Sequence, residues 1–367
     1  MLWNATHRDA VHAPLGLDDL WANTLAYASA IKAFDPAIKI HGPVTWGWCD
    51  VLGSAKDECA RFPGDAGPDR LAHGNKTLIQ WYLEQVVAHK AQTGVQLIDA
   101  LDVHWYPQGG EFSNDESPAM AALRMRSVRN LYNFSYVDES WMGQFNTSTA
   151  LIPRLRDFIT AAGADKLDLD VGISEYNWGG DSTVSGALAQ VDVMGVFVRE
   201  GLDFATRWVR PEAGTPVEAA MMMFLSFDSA GTGVAPGFIL GNTTNSDVDR
   251  ALAHAFVNST TPSPSRRLRL IVVNKEMTYA QLTNVNVTVL WPAPTGPGPK
   301  SVSADVYQFS RTAPALTYYG GFEIPCPWFD AAAAARLGAT VPNTFTFPTP
   351  GWAATLLDIP IDGCSGA

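Results

Sequence analysis

Residues 167–178 read Leu167-Asp168-Leu169-Asp170-Val171-Gly172-Ile173-Ser174-Glu175-Tyr176-Asn177-Trp178. The stretch from Leu167 to Ile173 reads as a short buried strand, and it delivers a carboxylate among aromatic and amide side chains. An ionisable group at the end of an apolar strand is costly unless it has a partner or a task. Position alone leaves two readings side by side. Glu175 is either a carboxylate nucleophile or a structural carboxylate paired with an arginine such as Arg207.

Working outward, the same strand-then-helix pattern recurs. Residues 17–34 have helical spacing, and 37–44 form a strand that closes on Thr45-Trp46-Gly47-Trp48. Residues 76–93 are helical, and the strand 97–103 runs into His104-Trp105-Tyr106-Pro107. Helices follow at 149–163 and 184–200, a fourth strand at 203–206 ends on Arg207-Trp208, and an apolar helix covers 217–227. Strand–helix units in series predict a parallel α/β barrel or a doubly wound sheet. No Gly-x-Gly-x-x-Gly follows any strand, which counts against a dinucleotide fold.

In a barrel the functional groups gather at the C-terminal strand ends. Here those ends carry Trp46, His104, Tyr106, Glu175, Trp178 and Trp208. His104 and Tyr106 alternate, so both can face the mouth, where a tyrosine hydroxyl donating to a nucleophile would orient it and favour its charged form. The plainer alternative is a His and a Tyr satisfied within the rim. Trp46, Trp141, Trp178 and Trp208 are candidates to stack on pyranose rings, against the alternative of core tryptophan. Trp21 and Trp81, on helices, are expected in the core.

Beyond residue 232 the pattern changes to short β-branched or aromatic runs at 236–258, 267–274, 282–291, 301–308, 315–319 and 353–359. Pro, Gly, Asn and Ser separate them, as in an antiparallel sandwich. The segment 326–338 reads as a helical insertion. The expected domains are therefore 1–232, an α/β region of about four strand–helix units, and 233–367, a β-sandwich.

The chain has 367 residues, 47% hydrophobic and 17% charged, which fits an ordered protein with a large core. Its net charge of −12 argues against nucleic acid or an anionic membrane as partner, whereas a neutral polysaccharide needs no basic face. No stretch approaches the roughly 20 apolar residues of a membrane span. Seven Asn-x-Ser/Thr sequons, at Asn4, Asn75, Asn133, Asn146, Asn242, Asn258 and Asn286, predict a secreted, extracellular glycoprotein. Cys49, Cys59, Cys326 and Cys364 suit two local disulfides, although four cysteines permit three pairings. No Cys/His spacing resembles a zinc site, and no loop has convincing calcium-ligand spacing, so no metal or other cofactor is assigned.

Several of these segments resemble glycoside hydrolase family 44, the endo-β-1,4-glucanases and xyloglucanases. The stretch from Leu2 to Asp9 resembles the family's sequence just after its acid/base, and Gly42 to Trp48 its next strand end. Leu101 to Gln108 is similar to its sixth strand, and Tyr136 to Trp141 to the loop that follows. Ile173 to Gly179 resembles the nucleophile strand, Thr206-Arg207-Trp208 the eighth strand, and Leu268 to Lys275 the sandwich domain. The resemblance implies the C-terminal part of a (β/α)8 barrel, with Glu175 the nucleophile of a retaining mechanism acting on cellulose- or xyloglucan-type β-glucan; separately, a monomer is expected at full length.

It also implies an Asn-Glu-Pro triplet carrying the acid/base immediately before the Leu2-Trp3 segment, and no such triplet occurs in the chain. A retaining glycosidase uses two carboxyl groups about 5–5.5 Å apart. The expectation is thus an N-terminally truncated barrel that lacks its first four βα units and has no turnover by itself. A second hypothesis, from another class, is a degenerate glucan-binding protein that keeps the tryptophans without the chemistry. The Arg129 to Ser135 stretch, the proline-glycine loop at 291–300 and the 326–338 insertion depart from the family's pattern.

Overall fold

The computed structural model describes residues 14–45, 47–57, 67–145, 148–234, 238–241, 244–245, 247–258, 267–277, 283–292, 299–326 and 340–360. These form two compact units whose boundaries interleave along the chain. The first takes the residues up to Gly110, Ser127–Trp178 and Val196–Arg210. The second takes Glu111–Arg126, Gly179–Gly195 and the residues from Pro211 onward.

The four strands and five helices read from the sequence stand in the expected order, and among the described residues three shorter α-helices not read there, Trp48–Leu52, Pro68–Ala72 and Pro118–Arg126, join them. Helix α1 (Leu17–Phe34) precedes strand β1 (His41–Thr45), then come α2 (Trp48–Leu52), α3 (Pro68–Ala72) and α4 (Leu78–Thr93). Strand β2 (Ala100–Trp105), α5 (Pro118–Arg126), α6 (Leu151–Ala161), β3 (Asp170–Tyr176), α7 (Val184–Arg199), β4 (Phe204–Arg207) and α8 (Pro216–Leu225) follow. The four strands lie side by side in chain order, all parallel, so their C-terminal ends share one edge. The second and third strands sit about three residues later than the runs 97–103 and 167–173, because hydrophobicity alone does not fix where pairing begins.

Local chemistry sets the helix limits. Thr77 caps α4 by accepting the Gln80 N–H, and Gly94 ends it in the left-handed conformation at φ 76°. Leu78, Ile79, Tyr82, Leu83 and Val86 of α4 are buried, and the helix packs against α6. Trp81 is buried as expected, whereas Trp21 is half-buried, its ring edge-on to Tyr82 at 6.2 Å. At Gly172 a Cβ would come within 2.1 Å of the Phe204 ring, so β3 and β4 pack there only because β3 offers bare backbone. No described helix is long and apolar enough to cross a membrane.

The second unit holds the antiparallel strands β5 (Phe238–Gly241), β6 (Ala251–Asn258), β7 (Arg267–Asn274), β8 (Thr283–Pro292), β9 (Ser301–Ser310), β10 (Thr317–Pro325), β11 (Thr340–Thr349) and β12 (Ala353–Pro360). Six form one sheet in the order β10-β9-β12-β7-β6-β5, and β11 pairs with β8. Leu268, Leu270 and Val272 of β7, Leu357 and Ile359 of β12, and Phe345 and Phe347 of β11 meet in one apolar core between the two sheets. The single run predicted at 236–258 is a hairpin of β5 and β6. Strand β11 has no counterpart among the predicted runs. Its alternation of buried Phe345 and Phe347 with exposed Thr344 and Thr346 is regular, but Pro342 and Pro348 disguise it. Proline is tolerated there because, among the described residues, β11 pairs on one side only. The predicted helical insertion at 326–338 lies, apart from Cys326, outside the described residues.

One buried ionic cluster ties α7 to the sandwich strands within this second unit. The Asp192 carboxylate lies 3.2 Å from Lys275 Nζ and 3.2 Å from His254 Nε2, all three side chains being buried. Burial by itself would raise the Asp192 carboxyl, but Lys275 and His254 outweigh it and hold the group at about 2. No free cysteine stands among the described residues, and Cys59 and Cys364, the expected local partners, lie outside them.

Candidate active site

The edge formed by the strand ends carries the predicted carboxylate, and a slip in register decides what that carboxylate meets. Along β2 and β3, Val103 pairs with Ile173, but the next pair is His104 with Glu175, so Ser174 is an extra residue on β3. The Ser174 N–H donates to Asp102 Oδ1 at 2.9 Å instead. Asp102 is almost wholly buried, and its other oxygen lies 3.4 Å from His41 Nδ1 on β1. Bulges re-aim side chains, and this one sets Glu175 opposite His104.

The Tyr106 hydroxyl then donates to Glu175 Oε2 at 2.9 Å, and His104 Nδ1 lies 3.2 Å from the same oxygen. Burial raises the Tyr106 phenol and the adjacent Glu175 carboxylate raises it further, so Tyr106 keeps its proton and remains a donor. Burial lowers His104, and only in part do Glu175 and Asp102 oppose that, which leaves a neutral ring at pH 7. Tyr106 is thus the hydrogen-bond donor to Oε2, and the His104 ring lies close beside the same oxygen. Oε1 has no hydrogen-bond partner among the described residues, and the side chain keeps 29% of its surface open. The arrangement is an oriented carboxylate with one oxygen held and the other available to attack.

Arg207, the alternative partner for Glu175, is engaged elsewhere. Its guanidinium donates to Asn177 Oδ1 at 3.0 Å and to the Val209 carbonyl at 2.6 Å. Glu175 therefore does not serve as the counter-ion of this arginine.

The aromatic candidates divide. Trp141 and Trp208 are exposed at the rim. Trp141 opens a 3₁₀ turn over Trp141–Phe145, and its indole N–H donates to Gln108 Oε1 at 3.3 Å. The amide of Gln108 in turn donates to the Tyr106 carbonyl at 3.0 Å, which links the turn to the end of β2. Behind Trp141 the loop is pinned by Asp138, which accepts from the Ser140 N–H at 2.7 Å and from the Asn130 amide. Trp178 does not meet the expectation of an open ring: it is 1% exposed, and its indole N–H donates to Ser127 Oγ at 3.0 Å. Two residues past Tyr176 the chain has turned inward, so Trp178 fills core volume. Trp46 and the Leu2 to Asp9 stretch lie outside the described residues.

Glu175, His104 and Tyr106, grouped from the sequence, lie in contact; Asp102, Gln108 and Asn177 were not among the sequence candidates. A signal for Asp102 was present, since Leu101-Asp102-Val103 places an acid within an apolar strand just as Ile173-Ser174-Glu175 does. Among the described residues no group of three or more His, Cys, Asp or Glu side chains is arranged to hold a metal ion.

Residues 1–109 match the sequence model of glycoside hydrolase family 44. The chain is 30% identical over 282 residues to endoglucanase A of Paenibacillus lautus, covering 75% of this chain and 38% of that protein. It is 27% identical over 344 residues to a β-mannanase/endoglucanase A of Caldicellulosiruptor saccharolyticus, covering 88% of this chain and 24% of that one. The crystal structure of a bifunctional glucanase-xylanase from a metagenome library superposes with a TM-score of 0.78 at 30% identity, covering 95% of this chain and 60% of that chain. The chain thus spans well under half the length of these curated relatives and about three-fifths of the solved one. The fold is that of the C-terminal part of a (β/α)8 barrel followed by a β-sandwich.

Proposed function

Residues 1–109 are glycoside hydrolase family 44 sequence, and from that premise we propose that this chain carries the nucleophile of a retaining enzyme that cleaves internal β-1,4-glucosidic bonds in cellulose- or xyloglucan-type polysaccharide. One observation supports the reading above the others: at the C-terminal strand edge the Glu175 carboxylate is held on one oxygen by the Tyr106 hydroxyl, with His104 close beside it. In the first step Oε1 attacks the anomeric carbon, the glycosidic C–O bond breaks, and a general acid protonates the departing oxygen. Water then releases the sugar. The acid/base is the Asn-Glu-Pro glutamate of the family pattern, which has no counterpart in this sequence. Trp141 and Trp208, with Trp46, are the sugar platforms. The relatives' names support a glucan substrate, since they describe endoglucanases, a β-mannanase and a glucanase-xylanase.

The remaining attributes fit this reading. Exposed sequons at Asn75 and Asn286 support a secreted, glycosylated, extracellular protein, with disulfides at Cys49 and Cys326, no metal needed for the chemistry, and a monomer at full length. A binding-only protein would have no use for a tyrosine proton donor on a rim carboxylate. The retained trio therefore favours the catalytic reading.

The test uses chemistry that needs no acid. A 2,4-dinitrophenyl 2-deoxy-2-fluoro-β-cellobioside has a leaving group that departs unprotonated, and the fluorine slows hydrolysis of the intermediate. Incubated with the chain, it should leave one fluorocellobiosyl group on the peptide containing Glu175, detected by mass spectrometry. Glu175→Gln should abolish the label. Labelling on another residue, or labelling that survives Glu175→Gln, sinks the proposal.

A further inference from the structure

The chain between β2 and α5 (residues 106–117) contains no helix or strand, yet it is fastened by a fully buried arginine. Arg124 on α5 donates from Nε to the Glu111 carbonyl at 3.0 Å, and from Nη2 to the Ser113 and Asp115 carbonyls at 2.7 and 3.2 Å. Its Nη1 donates to Ser185 Oγ, in the first turn of α7. Glu116 accepts the Ser185 N–H at 3.0 Å and the Ser185 hydroxyl at 2.6 Å, and its Oε2 lies 3.5 Å from Arg124 Nη1. Ser185 closes the segment that leaves β3, so one hydroxyl joins the chain that follows β2 to the chain that follows β3. The two backbones also touch directly. A Cβ on Gly179, whose φ is 68°, would stand 2.3 Å from Phe112 Cα and 2.5 Å from the Glu111 carbonyl oxygen, so only glycine allows this approach.

Burying a guanidinium carries a desolvation cost that its partners must offset, and apolar side chains of similar volume would fasten a loop without it. What the arginine adds is geometry: a rigid fork that fixes three carbonyls and a hydroxyl at once. Its place in the chain shows what that geometry serves. The β2–β3 ladder ends at Trp105 with Tyr176, so Tyr106 stands one residue past the last pair. Where Tyr106 sits beside Glu175 is therefore set by the course of the chain that follows. Glu111 comes five residues after Tyr106 and Gly179 four residues after Glu175, and both leads are tied back along the way. In the first, Gln108 donates to the Tyr106 carbonyl at 3.0 Å. In the second, the Trp178 indole N–H donates at 3.0 Å to Oγ of buried Ser127, on the chain that leaves α5. We infer that Arg124 is a positioning residue for Glu175: with Ser185 and Glu116 it clips the two outgoing segments together and so holds the Tyr106 hydroxyl on the carboxylate. The inference rests on the reading of Glu175 as nucleophile.

The experiment pairs two readouts on the whole chain: the rate of fluorocellobiosyl labelling of Glu175, and the fluorine NMR line of Tyr106 in protein labelled with 3-fluorotyrosine. The line is identified by its loss in Tyr106→Phe, and Glu175→Gln shows where it falls when the charged acceptor is gone. Ser185→Ala removes only the bridging hydroxyl, and Arg124→Lys keeps the charge without the fork. In both, the labelling rate constant should fall about tenfold, while the reagent concentration giving half the maximal rate stays the same. The Tyr106 line should move toward its Glu175→Gln position. A role in stability alone would lower the melting temperature and the amount of chain that labels, but not the rate constant of the folded fraction. Ser185→Ala combined with Tyr106→Phe should label no more slowly than Tyr106→Phe alone, because the clip acts through the tyrosine. Should Arg124→Lys fail to fold, Ser185→Ala decides. An unchanged rate constant and an unchanged Tyr106 line in Ser185→Ala overturn the clip, as does additive slowing in the double variant, and either result leaves the nucleophile standing. A Tyr106 line that moves in Ser185→Ala while the unsubstituted protein is never labelled at Glu175 removes the nucleophile and keeps the clip as the holder of the Tyr106–Glu175 contact.

Discussion

The Asp102 carboxylate accepts the backbone N–H of Ser174 at 2.9 Å across the β2–β3 pair, and that bond stabilises the one-residue slip that turns Glu175 toward His104 and Tyr106. In this register the Tyr106 hydroxyl and His104 Nδ1 lie 2.9 and 3.2 Å from Glu175 Oε2.

Asp102→Ala leaves the Ser174 N–H without its acceptor in a nearly dry position. The substitution is expected to cost about 1–3 kcal/mol of stability and to slow fluorocellobiosyl labelling of Glu175 by at least about tenfold. Urea unfolding and timed mass spectrometry measure the two effects. Lost stability with an unchanged labelling rate would show that the slip does not orient the carboxylate.

Tyr106→Phe removes one donor to Glu175 and little volume. Stability should change by less than about 1 kcal/mol, while labelling should slow by roughly 10²-fold. A parallel fall in both would assign Tyr106 to packing.

The lowered pKa of His104 gives a signed prediction. Folding disfavours its protonated form, so below the ordinary histidine pKa near 6.5 the unfolded chain binds the extra proton more readily. The stability associated with His104 is complete above that pH and declines as pH falls below it. His104→Gln should flatten the curve of unfolding free energy against pH between about 6.5 and the onset of carboxylate titration. An identical slope in the variant would count against the assignment.

Asp192 has the opposite relation to protons. Its folded pKa of about 2 lies below the ordinary carboxylate value, so its contribution is present above about pH 4 and is lost as pH falls toward 2. Asp192→Asn leaves Lys275 buried with no countercharge and should cost about 3–5 kcal/mol. Asp192→Asn with Lys275→Met should recover most of the loss. A double variant no better than the single one would mean that the pair is not the stabilising unit.

The tryptophans should separate by experiment as they do by exposure. Trp178→Phe breaks the bond to Ser127 and trims a filled core site, so it should lower stability by about 1–3 kcal/mol and leave cellohexaose affinity unchanged. Trp141→Ala should do the reverse, weakening binding about tenfold with little effect on unfolding. Calorimetric titration and thermal melts distinguish the two patterns.

The sequence by itself determined the order of the four parallel strands and of the longer helices, and the residues that stand at the strand ends. Apolar runs closing on His104-x-Tyr106 and on Glu175 carry their own periodicity, and a parallel sheet in chain order places all such ends on one edge. Tertiary structure alone decided the rest. Whether a tryptophan is a platform or core depends on where the chain turns after the strand, which separates exposed Trp208 from buried Trp178 though both follow strand ends. The slip at Ser174 depends on an acceptor 72 residues earlier in the chain, and no local pattern encodes a partner at that distance. Strand β11 was hidden because proline weakens a strand in isolation but is harmless where pairing is one-sided, which is a property of the sheet and not of the segment.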